Sequence, residues 1–184
     1  MKLWLLRHAR VTLEAGLCYG ASDVPADPAH TRQAAQALAN CLPEGLPMRV
    51  SALGRARQLA RELAALRPDL GAATTDPRLN EMDFGCWERQ RWDAIPRRAF
   101  DTWMADFARH RFGGEESTQQ VIERVAEALD DARAQGVPEA VWVTHAGVIR
   151  AAQYLAAHGR REIAGAHEWP REAPEPGGLL SLTL

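Results

Sequence analysis

Residues 140–150 read AVWVTHAGVIR, and this stretch decides the fold. Residues 140–144 are apolar or β-branched with no polar alternation, the pattern of a strand buried on both faces. The run stops at His145, passes through the small pair Ala146-Gly147, and turns helical in pattern over 148–157. A doubly buried strand leading straight into a helix is the building unit of a parallel α/β sheet. The chain opens with the same shape: Leu3-Trp4-Leu5-Leu6 is an apolar run ended by Arg7-His8-Ala9-Arg10.

Between these two anchors the pattern alternates. A loop over 14–28 carries Gly16, Gly20, Pro25 and Pro28. Residues 31–42 have helical spacing, with Ala34, Leu38 and Cys41 or Leu42 on one face. Residues 55–66 repeat it with Ala56, Leu59, Ala60, Leu63 and Leu66, and Pro68 lies just beyond. Short strands are expected at 48–52 and 72–75. Residues 76–112, with Trp87, Trp92 and Trp103 among many charges, read as irregular structure and short helices over the core. Ser117 and Gln120 have capping-box spacing ahead of the stripe Val121, Val125, Ala128, Leu129 and Ala132. Gly136-Val137-Pro138 ends that helix, 170–178 is a Pro/Gly loop, and 179–184 is a last strand. The expectation is one domain over 1–184, a three-layer α/β/α sandwich with a mainly parallel sheet.

Composition narrows the function. The formal charge is −2, from 22 basic and 24 acidic residues, so neither a nucleic acid nor a membrane is expected as partner. Any anion site must come from local placement of arginines. Three scattered cysteines, Cys18, Cys41 and Cys86, form no C-x-x-C pair, which argues against a disulfide framework or a cysteine zinc site. With an apolar start too short for a signal segment, a cytoplasmic setting is the simplest expectation. The oligomeric state is open, a homodimer being one alternative.

In open α/β sheets ligands collect beyond the carboxyl ends of the strands, and His8 and His145 both sit there. A neutral imidazole can attack phosphorus in line and form a phosphohistidine, which water then hydrolyses. The transferred group spreads charge over its oxygens, so its site needs positive donors. Arg7 and Arg55 supply bidentate forks, His145 a further hydrogen bond, and a helix starting near Gly147 its backbone N–H groups. Each such donor is typically worth roughly 3–4 kcal/mol in the barrier. A carboxylic acid is needed to protonate the leaving oxygen.

Four segments carry a family resemblance. Leu5-Leu6-Arg7-His8 resembles the R-H-G motif of the histidine phosphatase superfamily, which includes phosphoglycerate mutases. Residues 51–56, SALGRA, are similar to its S-x-L-x-R-A segment. Residues 79–88, LNEMDFGCWE, look like its L-x-E-x-x-F-G-x-W-E segment, and 143–150, VTHAGVIR, follow its T-H-A-G-x-x-R segment. The resemblance implies His8 as nucleophile, Arg7, Arg55 and His145 as phosphoryl ligands joined by Ala146, and Glu81 as general acid and then base. It implies no metal and no cofactor. Three positions depart from the family pattern: Ala9 stands for the usual glycine, Val11 for a threonine (Thr12 comes one position late), and Glu14 or its neighbours for an asparagine.

Substrate class rests on a finer likeness. Residues 16–25, GLCYGASDVP, resemble a stretch of α-ribazole phosphatases, as do Trp87-Glu88, Trp92-Asp93-Ala94-Ile95-Pro96 and Gly113-Gly114-Glu115-Glu116-Ser117. This adds Tyr19 and Gly20 to the expected substrate contacts. It implies a small phosphomonoester as partner, α-ribazole 5′-phosphate, with a general sugar-phosphate or nucleotide phosphatase, or a mutase-like enzyme, as alternatives. The short chain favours a phosphatase over the mutases. A non-catalytic phospho-ligand module is the rival of another class, and it would not need His8 or Glu81. The plainer readings are that Trp87, Trp92 and Trp103 are packing residues and that Cys18 is a buried small apolar residue. His30, His110, His158 and His167 then serve the surface or local packing.

Overall fold

The computed structural model describes residues 1–184. Strands β1 (Lys2–Arg7), β2 (Met48–Val50), β3 (Thr74–Thr75), β4 (Glu139–Thr144) and β5 (Leu179–Thr183) form one sheet in the order β3-β2-β4-β1-β5. The first four are parallel, and β5 runs antiparallel along β1. The helices are α1 (Pro28–Ala39), α2 (Gly54–Leu66), α3 (Arg97–Ala105), α4 (Thr118–Ala134) and α5 (Ala146–His158). Alternate residues of the central strands feed opposite layers, as the pleat requires. Leu3, Leu5, Ala140 and Trp142 pack with α4 and α5, while Leu6, Val141 and Val143 pack with α1 and α2. This is the expected α/β/α sandwich. No helix is long and apolar enough to cross a membrane.

Three local expectations are corrected. α1 begins at Pro28 rather than Thr31. Asp27 takes the N-cap, its Oδ1 accepting the His30 N–H at 2.7 Å, and Pro28 fills the first helical position, where its missing N–H costs nothing. The helix ends at Ala39 rather than Leu42, and of the two alternatives for its apolar face Leu42 is buried and Cys41 exposed. Leu66, placed on the apolar stripe of α2, is the last residue of that helix and is 46% exposed. The capping box holds: Ser117 Oγ accepts the Gln120 N–H at 3.3 Å, and Gln120 Oε1 accepts the Ser117 N–H at 3.0 Å. In the irregular region, α3 brings Phe100 and Trp103 against Phe112, with the Trp103 and Phe112 rings stacked at 4.5 Å.

Register sets the site. Arg7 pairs with Thr144, and Val50 with Val143. The carboxyl ends of β2, β4 and β1 therefore finish at neighbouring levels and set Ser51, His145 and His8 in a row. Two further ladder bonds fix that row: Ser51 N–H donates to Val143 O and His8 N–H to Thr144 O, each at 3.0 Å.

Candidate active site

His8 is 3% exposed. Its Nδ1 lies 2.7 Å from the Ala9 carbonyl oxygen, which only accepts, so Nδ1 carries the proton and Nε2 the lone pair. Burial pulls its pKa down to about 3, Arg55 and Arg7 push the same way, and the Ala9 bond opposes them. The imidazole is therefore neutral at ordinary pH, the form a nucleophile needs. Ala9 is buried and its φ is not left-handed, so nothing in the backbone requires the glycine usual at that position.

Arg55 is fully buried at the start of α2. Its Nη1 donates to Ser22 O at 2.8 Å, its Nη2 to Gly20 O at 2.6 Å, and its Nε to His145 Nδ1 at 3.2 Å. Burial lowers its pKa despite the nearby carboxylates of Glu81, Asp23 and Glu88. The other side of the 20–22 loop is held by Glu88. That carboxylate accepts N–H groups of Gly20 (2.9 Å), Ala21 (3.0 Å), Ser22 (3.2 Å) and Phe84 (3.1 Å). The loop thus runs between a carboxylate on its amide side and a guanidinium on its carbonyl side.

This corrects the expectation for Gly20. Its amide and carbonyl are both committed, and it lies against Met82 O and Phe84, where no Cβ fits. Gly20 shapes the site and does not face it. Tyr19 does line the cleft, and its ring lies 5.3 Å from the Arg55 guanidinium carbon. Cys18 is buried, and burial followed by the Glu88 charge pushes its thiol up to about 12, so it is an inert apolar filler.

His145 is fully buried, its ring centroid 5.0 Å from that of His8. Burial, then Arg55 and His8, holds its pKa well below the usual histidine value. Both ring nitrogens are engaged by protein, Nδ1 by Arg55 and Nε2 by Ser51 Oγ at 2.8 Å. His145 and Arg55 are both fully buried, and neither lines the cleft onto which His8 opens. Ala146 is likewise almost buried in the first turn of α5. The Gly147 amide, expected to face the anion, instead donates to Glu81 Oε2 at 3.1 Å, while Glu81 Oε1 accepts from Met82 N at 3.0 Å. α5 has no side-chain cap of its own, so the Glu81 carboxylate fills its positive end. Asp23 does the same for α2, accepting the Gly54 N–H at 2.6 Å.

Arg7, His8, Tyr19 and Glu81 open onto one cleft of 450 Å³, with Val11 and Glu14 on its rim loop. Arg7 Nη1 donates to Pro174 O at 2.9 Å, and its buried Nε has no protein partner. Two cations of the cleft, Arg150 and Arg10, escaped sequence reasoning. Arg150, the last letter of the 143–150 motif, lines it with an unpartnered Nε. Burial lowers the Arg150 pKa, with Glu81 opposing and Arg7 reinforcing, so the guanidinium lies near both. Arg10 adds another cation, and Phe84 with Trp92, edge to face at 5.4 Å, forms an aromatic wall. Trp87 and Trp103 pack around Phe112, as the plainer reading had it. No group of three or more His, Cys, Asp or Glu side chains converges as a metal site. A larger hollow of 610 Å³ beneath Met48 holds the Arg49–Asp76–Arg78 ion pairs and no nucleophile.

Solved structures share this fold. Thermus thermophilus protein TTHB049 shares 29% identity and a TM-score of 0.72, over 99% of this chain and 93% of its own. A phosphoglycerate mutase structure from Thermus thermophilus shares 29% identity and a TM-score of 0.71, over 99% of this chain and 92% of its own. A chain bearing the mutase name is thus matched almost end to end, so length does not separate phosphatase from mutase here. The mycobacterial glucosyl-3-phosphoglycerate phosphatase, at 24% identity, shares the fold with a TM-score of 0.71 over 84% of this chain and 78% of its own. No curated protein is significantly similar in sequence. The family profile described as histidine phosphatase superfamily, branch 1, covers residues 3–170, from β1 past α5 and through every motif of the site, and the chain belongs to that superfamily.

Proposed function

We propose that this chain hydrolyses a phosphomonoester through a phosphohistidine on His8. One observation carries the reading: the Ala9 carbonyl holds the proton on Nδ1 of a buried, neutral imidazole, which leaves the Nε2 lone pair on a cleft that also holds Glu81. Nε2 attacks phosphorus, the ester P–O bond breaks, and the Glu81 carboxylic acid gives its proton to the departing oxygen. Water then attacks the phosphohistidine, Glu81 takes a proton from it, and the P–N electron pair returns to Nε2. Arg7 supplies charge at the phosphoryl group, and the buried charge of Arg55 adds to the field behind His8.

The substrate we propose is α-ribazole 5′-phosphate. The 16–25 loop and the wall of Phe84 and Trp92 support it, because a flat base needs such a surface. A second reading, an acidic sugar or glycerate phosphate, is favoured by Arg10 and Arg150 on the same cleft. The test is kcat/KM across α-ribazole phosphate, phosphoglycerates, sugar phosphates and nucleotides, with His8→Ala as control. His8→Ala is expected to abolish turnover of every substrate, and rapid acid-free quench of wild type to trap a phosphoenzyme. Undiminished hydrolysis by His8→Ala refutes the mechanism. A phosphoglycerate preferred over α-ribazole phosphate refutes the substrate.

A further inference from the structure

The hydrogen bonds around His145 form a closed chain, and closing it assigns a proton. Arg55 Nε–H can only donate, so His145 Nδ1, 3.2 Å away, must offer a lone pair. A neutral imidazole then carries its proton on Nε2, facing Ser51 Oγ at 2.8 Å. The same answer comes from the far end. Ala52 N–H can only donate, so the Asn80 side-chain atom 2.8 Å from it is the oxygen. Ser51 Oγ, also 2.8 Å from that oxygen, must spend its single O–H there. The hydroxyl can then only accept from His145, and its other lone pair takes the Leu53 N–H at 3.2 Å. The two ring nitrogens of His145, the Ser51 hydroxyl and the Asn80 oxygen are all engaged, and Ser51, Arg55 and His145 are fully buried, where an unpaired group is costly.

We propose that Ser51 and Asn80 are positioning residues that hold His145 as its Nε2–H tautomer and so keep the Nδ1 lone pair on Arg55, behind the nucleophile. The opposite tautomer would set an N–H against the Arg55 Nε–H and detach the guanidinium from one of its three anchors. Arg55 also grips the Gly20 and Ser22 carbonyls, so the tautomer governs the loop that supports the cleft. The charged and titratable groups that act on the ring are Arg55 from α2, His8 from the end of β1, Arg124 from α4, and Arg7. Ser51 and Asn80 lie in two of the family-like segments, yet phosphate chemistry alone gives neither a task.

The inference deepens the phosphoryl-transfer reading, but its first test does not depend on activity. Two-bond proton–nitrogen NMR of protein labelled with 15N-histidine reads the tautomer directly, with His145→Gln identifying the signal. The expected spectrum has a protonated Nε2 and an unprotonated Nδ1 on His145. A protonated Nδ1 overturns the proposal. In Ser51→Ala the Nε2 proton loses its acceptor, so the signal should shift towards a tautomer mixture. In the same variant kcat should fall about 10- to 100-fold, the rate equivalent of one unpaired buried donor. Ser51→Thr, which keeps the hydroxyl, should restore both, and Asn80→Ala should blur the tautomer by freeing the Ser51 O–H to turn. A sharp Nε2–H signal retained in both Ser51→Ala and Asn80→Ala overturns the proposal even if activity falls. Failure of the His8→Ala control alongside the expected spectrum removes the mechanism and leaves the positioning chain standing.

Discussion

Gly147→Ala separates acid catalysis from folding. A methyl group at this position would overlap Glu81 Oε1 and stand 3.1 Å from its Cδ, so the carboxylate must leave the end of α5. The backbone accepts the change, because Gly147 has no left-handed φ and sits in the first turn of a helix. Alanine gains up to about 1 kcal/mol of helix propensity there. Losing the 3.1 Å bond from the Gly147 amide to a carboxylate costs about 1.5–3 kcal/mol. Net stability should therefore fall by no more than about 3 kcal/mol, visible as a shift in Tm. Catalysis should respond more strongly, and selectively. A general acid contributes about 10²–10⁴-fold when the leaving group needs a proton, so an alkyl phosphate should lose about 100-fold in kcat/KM. An aryl ester with an acidic phenol leaves without that proton and should lose less than about tenfold. The assay is kcat/KM for leaving groups of graded basicity, in wild type and variant, with Glu81→Gln as the limiting case. Equal losses for alkyl and aryl esters, or none for either, would refute the placement of Glu81 as the acid.

Other perturbations reach different parts of the site. His8 has a folded pKa of about 3 against 6.5 unfolded, so the unfolded chain binds the extra proton between those values. Stability should drop as pH falls from about 6.5 towards 3, with at most about 5 kcal/mol from this group. His8→Gln should flatten that part of the urea-midpoint profile, and an unchanged slope would refute the buried neutral imidazole. Burial raises the Glu88 pKa, but the N–H groups of Gly20, Ser22 and Phe84 and the Ser22 hydroxyl more than reverse it. Glu88→Gln should accordingly cost about 2–4 kcal/mol in chemical denaturation, and a change under about 0.5 kcal/mol would contradict the loop's double anchoring. Trp92→Ala should raise KM for a benzimidazole-bearing phosphate about threefold to tenfold while sparing a small alkyl phosphate, and equal effects on both would remove the aromatic wall from recognition.

The sheet was legible because its central strands are apolar on both faces. Leu3 to Leu6 and Val141 to Val143 lack the alternation of a half-exposed strand, and His8 and His145 each interrupt such a run. The two strand-end histidines could therefore be read from one dimension, whereas Glu81 rested on the family resemblance of residues 79–88. The start of α1 was misread because Asp27-Pro28, a helix-entry signal, lay among residues that look like more loop. The partners of His145 were not legible at all. Ser51 reaches it, and Asn80 reaches Ser51, only because β2 and β4 pair in one register and because Leu79 O accepts the Thr144 hydroxyl at 2.7 Å, tying the 79–81 segment to β4. Nor does local sequence say that Glu81, 66 positions away, accepts the Gly147 amide. Side chains that cap a distant helix leave no periodic trace. Their letters stand in the motifs, but the motifs do not say what they touch.

The antiparallel strand has a consequence for the order of folding. As β5 runs back along β1, the segment before it is bound to the end of β1: Gly177 N–H donates to His8 O at 2.9 Å, Gly178 O accepts from Arg7 N at 3.0 Å, and Pro174 O accepts from the Arg7 guanidinium. Arg7 and Pro174 lie 167 positions apart. Contacts of such separation are entropically costly to close and form slowly. A chain cut before residue 174 would keep much of the core and lack the supports that aim Arg7.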